Sequence, residues 1–357
     1  MRMPKAILVA GLAGIATALL ASCWRPIFDE QVSSGALFYD KLGSPFRTIG
    51  PVSMYSQMTD GIFLPERIID AYNGFWVQKE SGYVNLSFIK YSGGSYTLSS
   101  ATTGGSAAGG SLAFADSAYF TTANGQIILG TGSGSATTNL AIYTFTSGSP
   151  DTFSYINPSL PADGVTKILG LGATQTAGNS AETLAVIYLN TASALEATNY
   201  SYTSNGTALT WSSTTYVLQA GAAGLSSFGR AFIGADGTGS ALYYSDGGTS
   251  VLKWAWTAGL NSAPATISMR DPLVAVLSNG ILVCQGKDYL DAYRPDGSEI
   301  FSRPAGSVRF VQEVDSSGTD YCIFAQTLLA PQDNNGNNQV YIELWRIPTG
   351  SFSSLGN

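Results

Sequence analysis

The chain has 357 residues and contains no histidine. Without histidine there can be no Ser-His-Asp or Cys-His nucleophile system, and the usual zinc ligand sets and the commonest general base are missing as well. Enzymes that work with a pair of Asp or Glu side chains are not excluded, because they need only two carboxyl groups at a suitable spacing.

Charged residues are scarce, at 11% of the chain, with 17 Lys and Arg against 24 Asp and Glu. No basic cluster follows the first few residues, whereas a nucleic-acid partner would require many Lys and Arg contacts to phosphates. We therefore expect no nucleic-acid partner. Apolar residues make up 45% of the chain, including 19 Tyr, 16 Phe and 6 Trp, and this content predicts a packed core rather than disorder.

Cysteine is also rare, with three in the chain. Two of them, Cys284 and Cys322, lie in short apolar runs typical of buried strands. We predict that both are buried free thiols. The alternative is a disulfide, which requires the Cβ atoms to approach to about 4 Å, while packed sheets lie about 10 Å apart.

The first 23 residues have the pattern of an export signal. Arg2 and Lys5 precede an uninterrupted apolar stretch, Ala6–Leu20, which is short for a transmembrane helix. The sequence Leu20-Ala21-Ser22-Cys23 that follows resembles the lipobox of bacterial lipoproteins. The resemblance implies cleavage before Cys23 and attachment of diacylglycerol and palmitate to this residue. The alternatives are an ordinary signal peptide with a chance cysteine and an uncleaved signal anchor.

This interpretation predicts that the chain consists of a signal peptide (1–22), a tether (23–35) and one folded domain (36–357). It places the protein in the bacterial cell envelope, bound to a membrane through the lipid on Cys23. Trp24 stands where enteric inner-membrane lipoproteins carry an Asp retention signal, so the resemblance favours the outer membrane. Loss of Arg2 and Lys5 on cleavage would make the mature chain more acidic.

A hairpin pattern recurs along the rest of the chain: a strand ending in aromatic residues, a turn containing glycine, and a second strand. Most of its successive aromatic markers are 52–57 residues apart; they are Tyr39, Tyr91, Phe145, Tyr202, Trp256, Tyr293 and Trp345. A period of about fifty residues filled with short strands is typical of a propeller blade. The sequence therefore predicts an all-β fold, a β-propeller of four-stranded blades.

Six stretches can serve as the innermost strands of blades: Arg67–Asp70, Leu112–Phe114, Lys167–Leu169, Ala231–Ile233, Leu273–Leu277 and Val308–Val311. Six inner strands favour six blades, with the hairpin around Tyr39 as an extra outer element near the ring closure. Seven blades with a truncated first blade is the alternative. One stretch, Ile281–Pro304, resembles a repeat of the PQQ-like propellers, although Phe301 stands where that repeat has Trp.

Four acidic residues stand just beyond predicted inner strands: Asp70, Asp116, Asp236 and Asp315. If the blades align as predicted, these residues surround one mouth of the channel and form a rim that attracts a cation or a cationic partner. The alternative is that each residue only caps a turn, as Asp commonly does at strand ends. The identity of any metal is left open, and no cofactor is expected.

The function that this sequence favours is a non-enzymatic lipoprotein of the cell envelope, in which the propeller binds a protein partner or acts as a scaffold. The reasons are the anchor, the many Gly, Ser and Thr loops, and the lack of any catalytic motif. Two alternatives remain open: a carboxylate-dependent enzyme acting on envelope glycans, and a propeller that binds a small molecule or a cation.

Overall fold

A computed structural model describes residues 37–54, 61–65, 73–80, 83–100, 102–103, 111–112, 127–131, 140–146, 152–156, 164–174, 181–203, 209–219, 229–256, 259–260, 263–305, 308–316 and 319–357. Nearly all of them lie in β-strands or in the turns between strands. A short helix at residues 37–42 precedes the first strand, and a 3₁₀ helix, Thr349–Gly356, follows the last. Within these ranges no helix is long and apolar enough to cross a membrane.

The strands in the first half of the chain are β1 (Arg47–Met54), β2 (Ile62–Pro65), β3 (Gly74–Glu80), β4 (Tyr83–Ser92), β5 (Ser95–Ser100), β6 (Thr102–Thr103), β7 (Ser111–Leu112), β8 (Ile127–Thr131), β9 (Leu140–Thr146), β10 (Thr152–Ile156), β11 (Val165–Thr174), β12 (Ala181–Asn190), β13 (Leu195–Thr203) and β14 (Leu209–Gln219). Those in the second half are β15 (Gly229–Ala235), β16 (Ser240–Ser245), β17 (Ser250–Ala255), β18 (Gly259–Leu260), β19 (Ala265–Ser268), β20 (Leu273–Val276), β21 (Leu282–Gln285), β22 (Tyr289–Tyr293), β23 (Glu299–Pro304), β24 (Arg309–Ser316), β25 (Thr319–Ala330) and β26 (Asn338–Pro348).

These strands form antiparallel units in chain order. Unit 1 is β2–β5, unit 2 is β8–β10 with β6 at its outer edge, unit 3 is β11–β14, unit 4 is β15–β17 with β19, unit 5 is β20–β23, and unit 6 is β24–β26 with β1. Units 3 and 4 join into one nine-stranded sheet, because the inner strands β11 and β15 pair in parallel. Apart from β6, which pairs parallel with β10, each unit is an up-and-down antiparallel sheet of the size of a propeller blade.

The ring closes through strands from the two ends of the folded chain. Strand β1 pairs antiparallel with β26, with Arg47 opposite Leu344 and Met54 opposite Asn338. The innermost strands of successive units contact one another, β11 with β15, β15 with β20, and β20 with β24; strand β24 in turn contacts β2 of unit 1. This order of units confirms the predicted all-β propeller. The number of blades and the lipid-anchored tether stay predictions.

The core consists of apolar layers between neighbouring units. One layer, which contains Ile49, Val340 and Trp76, lies between units 6 and 1, and another lies between units 5 and 6. Middle strands such as β16 and β21 are buried at almost every position, because both of their faces are covered by adjacent sheets. This explains why the sequences of these strands are continuous apolar runs and do not alternate between apolar and polar residues.

Most of the strands expected from the sequence are present. Four predicted inner strands correspond to β11, β15, β20 and β24. Five of the aromatic markers lie in or directly after the third strand of a unit, and Phe145 lies in β9, the second described strand of unit 2. Residues 67–70 and 113–114 of the two remaining predicted inner strands lie outside the described residues. In unit 1 the strand at the inner position is β2, which ends before residue 67.

The predicted hairpin around Tyr39 is wrong, because residues 37–42 form a helix. Phe38 and Leu42 are four residues apart and so lie on one face of the helix, which packs against the layer between units 5 and 6. Gly43 ends the helix with φ of +78°, and its N–H donates to the carbonyl oxygen of Tyr39 at 3.1 Å. The expected position near the ring closure is correct, since the helix leads directly into β1.

The two remaining cysteines are free thiols and are completely buried, which confirms the prediction made for them. Cys284 lies in the layer between units 4 and 5, and Cys322 lies in the layer between units 5 and 6. Burial raises the pKa of both thiols, so neither favours the reactive thiolate form.

Replacement of Phe38 by alanine tests whether the segment before β1 belongs to the folded ring. The ring of Phe38 is fully buried, 4.8 Å from Phe324 and 6.1 Å from Trp345 between ring centroids. We expect Phe38→Ala to lower the free energy of unfolding by about 3–5 kcal/mol, measured by urea denaturation. Leu329→Ala is the control, because Leu329 is 69% exposed; equal stability of the two variants would show that this helix is not part of the core.

Candidate functional site

A pocket with a volume of about 500 Å³ opens where the inner strands of units 5 and 6 begin. Its lining comes from the residues before and within β20, from the turn between β21 and β22, and from the start of β24: Asp271, Pro272, Val274, Gln285, Gly286, Lys287 and Arg309. The pocket therefore lies at the junction of two units, at the end of the ring opposite to the predicted acidic rim.

Gln285 fixes the geometry of this junction. Its backbone N–H donates to the carbonyl oxygen of Pro272 at 3.0 Å. Its side chain donates to the carbonyl oxygen of Val308 and accepts from the backbone N–H of Phe310 at 2.8 Å. One buried amide thus connects β21 of unit 5 to the start of β24 in unit 6, and holds the walls of the pocket at a fixed separation.

Asp271 lies in the pocket wall with its carboxyl group against Gly286. A Cβ atom at position 286 would overlap the Asp271 carboxylate oxygens. Glycine therefore allows the close approach of the Asp271 carboxyl group to this turn, and a larger residue would displace that group. The turn that contains it is closed by a hydrogen bond from the N–H of Gly286 to the carbonyl oxygen of Tyr289 at 3.1 Å.

Asp291 lies behind Asp271, in the middle of β22. It is 0% exposed and stands opposite Cys284 on β21 and Ser302 on β23. No donor of ordinary hydrogen-bond geometry reaches either of its carboxylate oxygens within the described part of the chain, although Ser302 is near enough to favour the charged form. Ionisation of a buried carboxyl group with so few hydrogen-bond donors is energetically unfavourable.

The two carboxyl groups interact directly. Burial is the main cause that raises the pKa of Asp291. The hydroxyl of Ser302 opposes this effect, the neighbouring carboxyl group of Asp271 raises the pKa further, and Arg270 lowers it. Burial and a neighbouring carboxyl group both disfavour the charged form of Asp291. Asp291 is therefore a candidate proton donor directly behind the pocket wall.

Cationic groups flank this pair. Lys287 and Arg309 line the pocket, and Arg270 stands at its edge with Cζ 3.8 Å from the centre of the Tyr289 ring. Arg270 also donates through Nη1 to the hydroxyl of Ser302 at 3.0 Å. The site therefore combines a proton donor and acceptor with positive charge, which is an arrangement suited to general acid–base chemistry with stabilisation of a developing anion.

Of the four residues predicted to form an acidic rim, Asp70 and Asp116 lie outside the described residues. Asp236 caps a turn: its Oδ1 accepts from the backbone N–H groups of Thr238 and Gly239 and from the Thr238 hydroxyl, at 2.7–3.0 Å. Its other oxygen is 3.7 Å from Nζ of Lys253. These donors lower the pKa of Asp236.

Asp315 lies at the far end of β24, opposite Asp320 across the hairpin. Near it, the hydroxyl of Ser278 is 2.8 Å from Glu313 and 2.9 Å from Asp320, and burial raises the pKa of Glu313. These contacts connect units 5 and 6 at this end of the ring. No set of three or more acidic, cysteine or histidine side chains within the described ranges is grouped to hold a metal ion, and the rim stays a prediction.

The sequence reasoning did not select Asp271 or Asp291. Asp291 carries one signal that could have been used, because it is an acidic residue between Leu290 and Ala292 in an otherwise apolar strand. Such a position requires a buried charge or a bound proton. Asp271 has no comparable signal, since an Asp before a strand is common.

No family model and no curated protein matches the chain. Solved structures of similar fold include a gluconolactonase from Xanthomonas campestris (10% identity, 83% of this chain and 89% of that chain, TM-score 0.43). A Trypanosoma rangeli sialidase is also similar, with 9% identity over 84% of this chain and 58% of that chain and a TM-score of 0.41. An α-L-arabinofuranosidase from Podospora anserina has 11% identity over 84% of this chain and 96% of that chain, with a TM-score of 0.36. At these identities and scores, the likeness concerns the fold alone.

The prediction that the protein is not an enzyme is contradicted by these comparisons, because the similar propellers include a lactonase and two glycosidases. The prediction rested on missing catalytic motifs. A pair of carboxyl groups has no sequence signature, since its members come from strand segments whose separation along the chain is set by the fold and not by the chemistry.

Replacement of Asp291 by asparagine tests the buried charge through its effect on stability. Below the ordinary Asp pKa of 3.8, the carboxyl group is protonated in the folded and the unfolded chain alike. As the pH rises above it, the unfolded chain ionises first, so stability falls until the pH passes the raised folded pKa. Because asparagine does not ionise, Asp291→Asn should not show this pH-dependent loss of stability. We expect its free energy of unfolding at neutral pH to exceed that of the wild type by about 1–3 kcal/mol.

The measurement is urea denaturation at neutral pH and again in strong acid, where we expect the difference to disappear. Asp246→Asn serves as the matched control, because Asp246 is exposed and accepts only a turn hydrogen bond from Gly248 at 2.9 Å. A loss of stability in Asp291→Asn at neutral pH would show that this carboxylate is charged and paired in the fold.

Proposed function

We propose that this propeller is a carboxylate-dependent hydrolase that acts on glycan substrates, with Asp271 and Asp291 as its proton-transfer pair. The observation that carries the proposal is the contact between a pocket-lining carboxyl group and a completely buried one with a raised pKa. Perturbed carboxyl groups at the wall of a pocket are typical of acid–base catalysis.

The direct interaction of the two carboxyl groups favours one kind of bond as the bond to be broken. Glycosidases hold their two carboxyl groups about 5–10 Å apart, because the acid and the second carboxylate act on different sides of the sugar carbon. Here the two groups interact directly and act as one unit from one side. This favours ester linkages in a carbohydrate, meaning an O-acyl group or a lactone, over a glycosidic bond.

In the proposed reaction, Asp271 accepts a proton from a water molecule as the water oxygen attacks the ester carbonyl carbon. The negative charge that develops on the carbonyl oxygen is stabilised by Lys287 or Arg309. The proton held by the pair then passes to the departing alkoxide as its C–O bond breaks, and the products are an alcohol and a carboxylic acid. Asp291 keeps the pair singly protonated, so that it accepts one proton and donates another.

The test is hydrolysis of a panel of O-acetylated sugars and aldonolactones by the purified protein, with aryl glycosides alongside. We expect turnover of the esters or lactones, and a loss of about 10²–10⁴-fold in kcat/KM in Asp271→Asn. Gly286→Ala should have a similar effect, because the added methyl group displaces the Asp271 carboxyl group. Asp246→Asn is the control and should retain full activity.

Several outcomes would contradict the proposal. If no member of the panel is hydrolysed, or if Asp271→Asn is as active as wild type, the pair is not catalytic. If only the aryl glycosides are hydrolysed and Asp271 is required, the ester assignment is wrong. Binding of substrate by Asp271→Asn with an unchanged Kd, combined with loss of turnover, would place the residue in the chemical step.

We further propose that the enzyme is held on a bacterial envelope membrane, with the outer membrane favoured, by lipid on Cys23. The support is the lipobox at Leu20–Cys23 directly after an apolar export signal. Stable attachment needs at least two acyl chains, which the lipidated cysteine of bacterial lipoproteins carries. Cys23→Ser should abolish incorporation of a fatty-acid analogue and leave an uncleaved precursor, whereas equal labelling of wild type and variant would exclude the anchor.

A further inference from the structure

A second pocket lies at the seam where the ring closes, between the outer strand β1 of unit 6 and the outer strand β5 of unit 1. It has a volume of about 270 Å³ and is lined by Ser53, Met54, Tyr96, Thr97, Leu98 and Asn337. None of these residues belongs to the Asp271 pocket. We propose that this seam pocket binds one neutral pyranose ring of a glycan.

One wall of the seam pocket is apolar and aromatic. Met54 is buried, and Tyr96 and Leu98 pack against the same core layer between units 6 and 1. Tyr91 stands opposite Tyr96 across the β4–β5 hairpin, with ring centroids 4.8 Å apart, and is 44% exposed. The aromatic surface therefore continues from the pocket onto the outside of the unit, as a stacking surface for the C–H face of a sugar.

The opposite wall is polar and rigidly built. Asp333, in the turn between β25 and β26, accepts the backbone N–H groups of Asn335 and Asn337 at 2.8 Å through Oδ1. Its Oδ2 accepts from Asn337 Nδ2 and from the Ser53 hydroxyl, both at 2.9 Å. These donors lower the pKa of Asp333 to about 2, so the group stays charged and keeps Ser53 and Asn337 in place.

Asn337 is the residue that this arrangement leaves available to a ligand. Within the described residues its side chain makes one hydrogen bond, from Nδ2 to Asp333, which leaves a second amide hydrogen and the carbonyl oxygen. A fixed amide that offers one donor and one acceptor matches two neighbouring hydroxyl groups of a sugar. Polar groups at the rim of an apolar wall fix the orientation of a bound molecule.

The charge of the site selects a neutral ligand. The lining contains no charged residue, and the carboxylate of Asp333, which is hydrogen-bonded to Ser53 and Asn337 of the lining, disfavours sugars that carry acid groups. The volume is sufficient for one ring and too small for a folded peptide segment. The proposal does not depend on the hydrolase assignment, because no residue is shared with the Asp271 pocket.

The test is calorimetric titration of the full-length protein with methyl glycosides of glucose, galactose, mannose, xylose and N-acetylglucosamine. We expect millimolar or tighter binding of at least one of them. Asn337→Ala and Tyr96→Ala should each weaken this binding at least tenfold, whereas Tyr96→Phe, which keeps the ring, should retain it. Asn335→Ala is the matched control, because it lies in the same turn and contributes only its backbone N–H to Asp333.

The Asp271→Asn variant distinguishes the two proposals, because it should leave glycoside binding at the seam pocket unchanged. The proposal is overturned if none of the five glycosides binds, if Asn337→Ala and Tyr96→Ala bind as wild type does, or if binding disappears in Asp271→Asn. Melting temperatures of the variants distinguish a lost contact from a lost fold, and Asn337 is the more direct test, since it is exposed in a turn.

Discussion

The pairing of β1 with β26 is the constraint on which the rest of this structure depends. It places a strand from the start of the folded domain at the outer edge of the last unit, so that units 6 and 1 become neighbours and the outer edge of β26 is paired. Both pockets are consequences of ring closure. The seam pocket lies directly beside this pairing, and the Asp271 pocket requires units 5 and 6 to be held at a fixed separation.

The Asp271 pocket combines rigidity with an unfavourable charge. Gln285 connects the two units with its buried amide, while Asp291 is buried beside a second carboxyl group with few donors. A well-packed strand position of this kind would be more stable with an uncharged side chain. Retention of an acid at such a site is what is expected where the pair has a chemical role, because catalytic groups commonly reduce stability.

Sequence periodicity predicted the architecture well, because a blade repeat follows from strand length and turn chemistry, both of which are local. It failed at residues 37–42, where Leu37, Phe38 and Tyr39 resemble a strand but pack as a helix between two units. Asp271, Gly286 and Asp291 could not be grouped from the sequence, since they meet only after β20, β21 and β22 have paired.

The most direct test of the central claim, that Asp291 holds a proton beside Asp271 in the folded protein, is infrared spectroscopy of the carboxyl groups as a function of pH. We predict that the wild type keeps part of the carbonyl stretching band of a protonated carboxylic acid at pH values where an ordinary Asp, with a pKa of 3.8, is ionised. Asp291→Asn should lose this part of the band, and Asp246→Asn should keep it. If the wild type and Asp291→Asn lose the band over the same pH range, the proposed proton-transfer pair is contradicted.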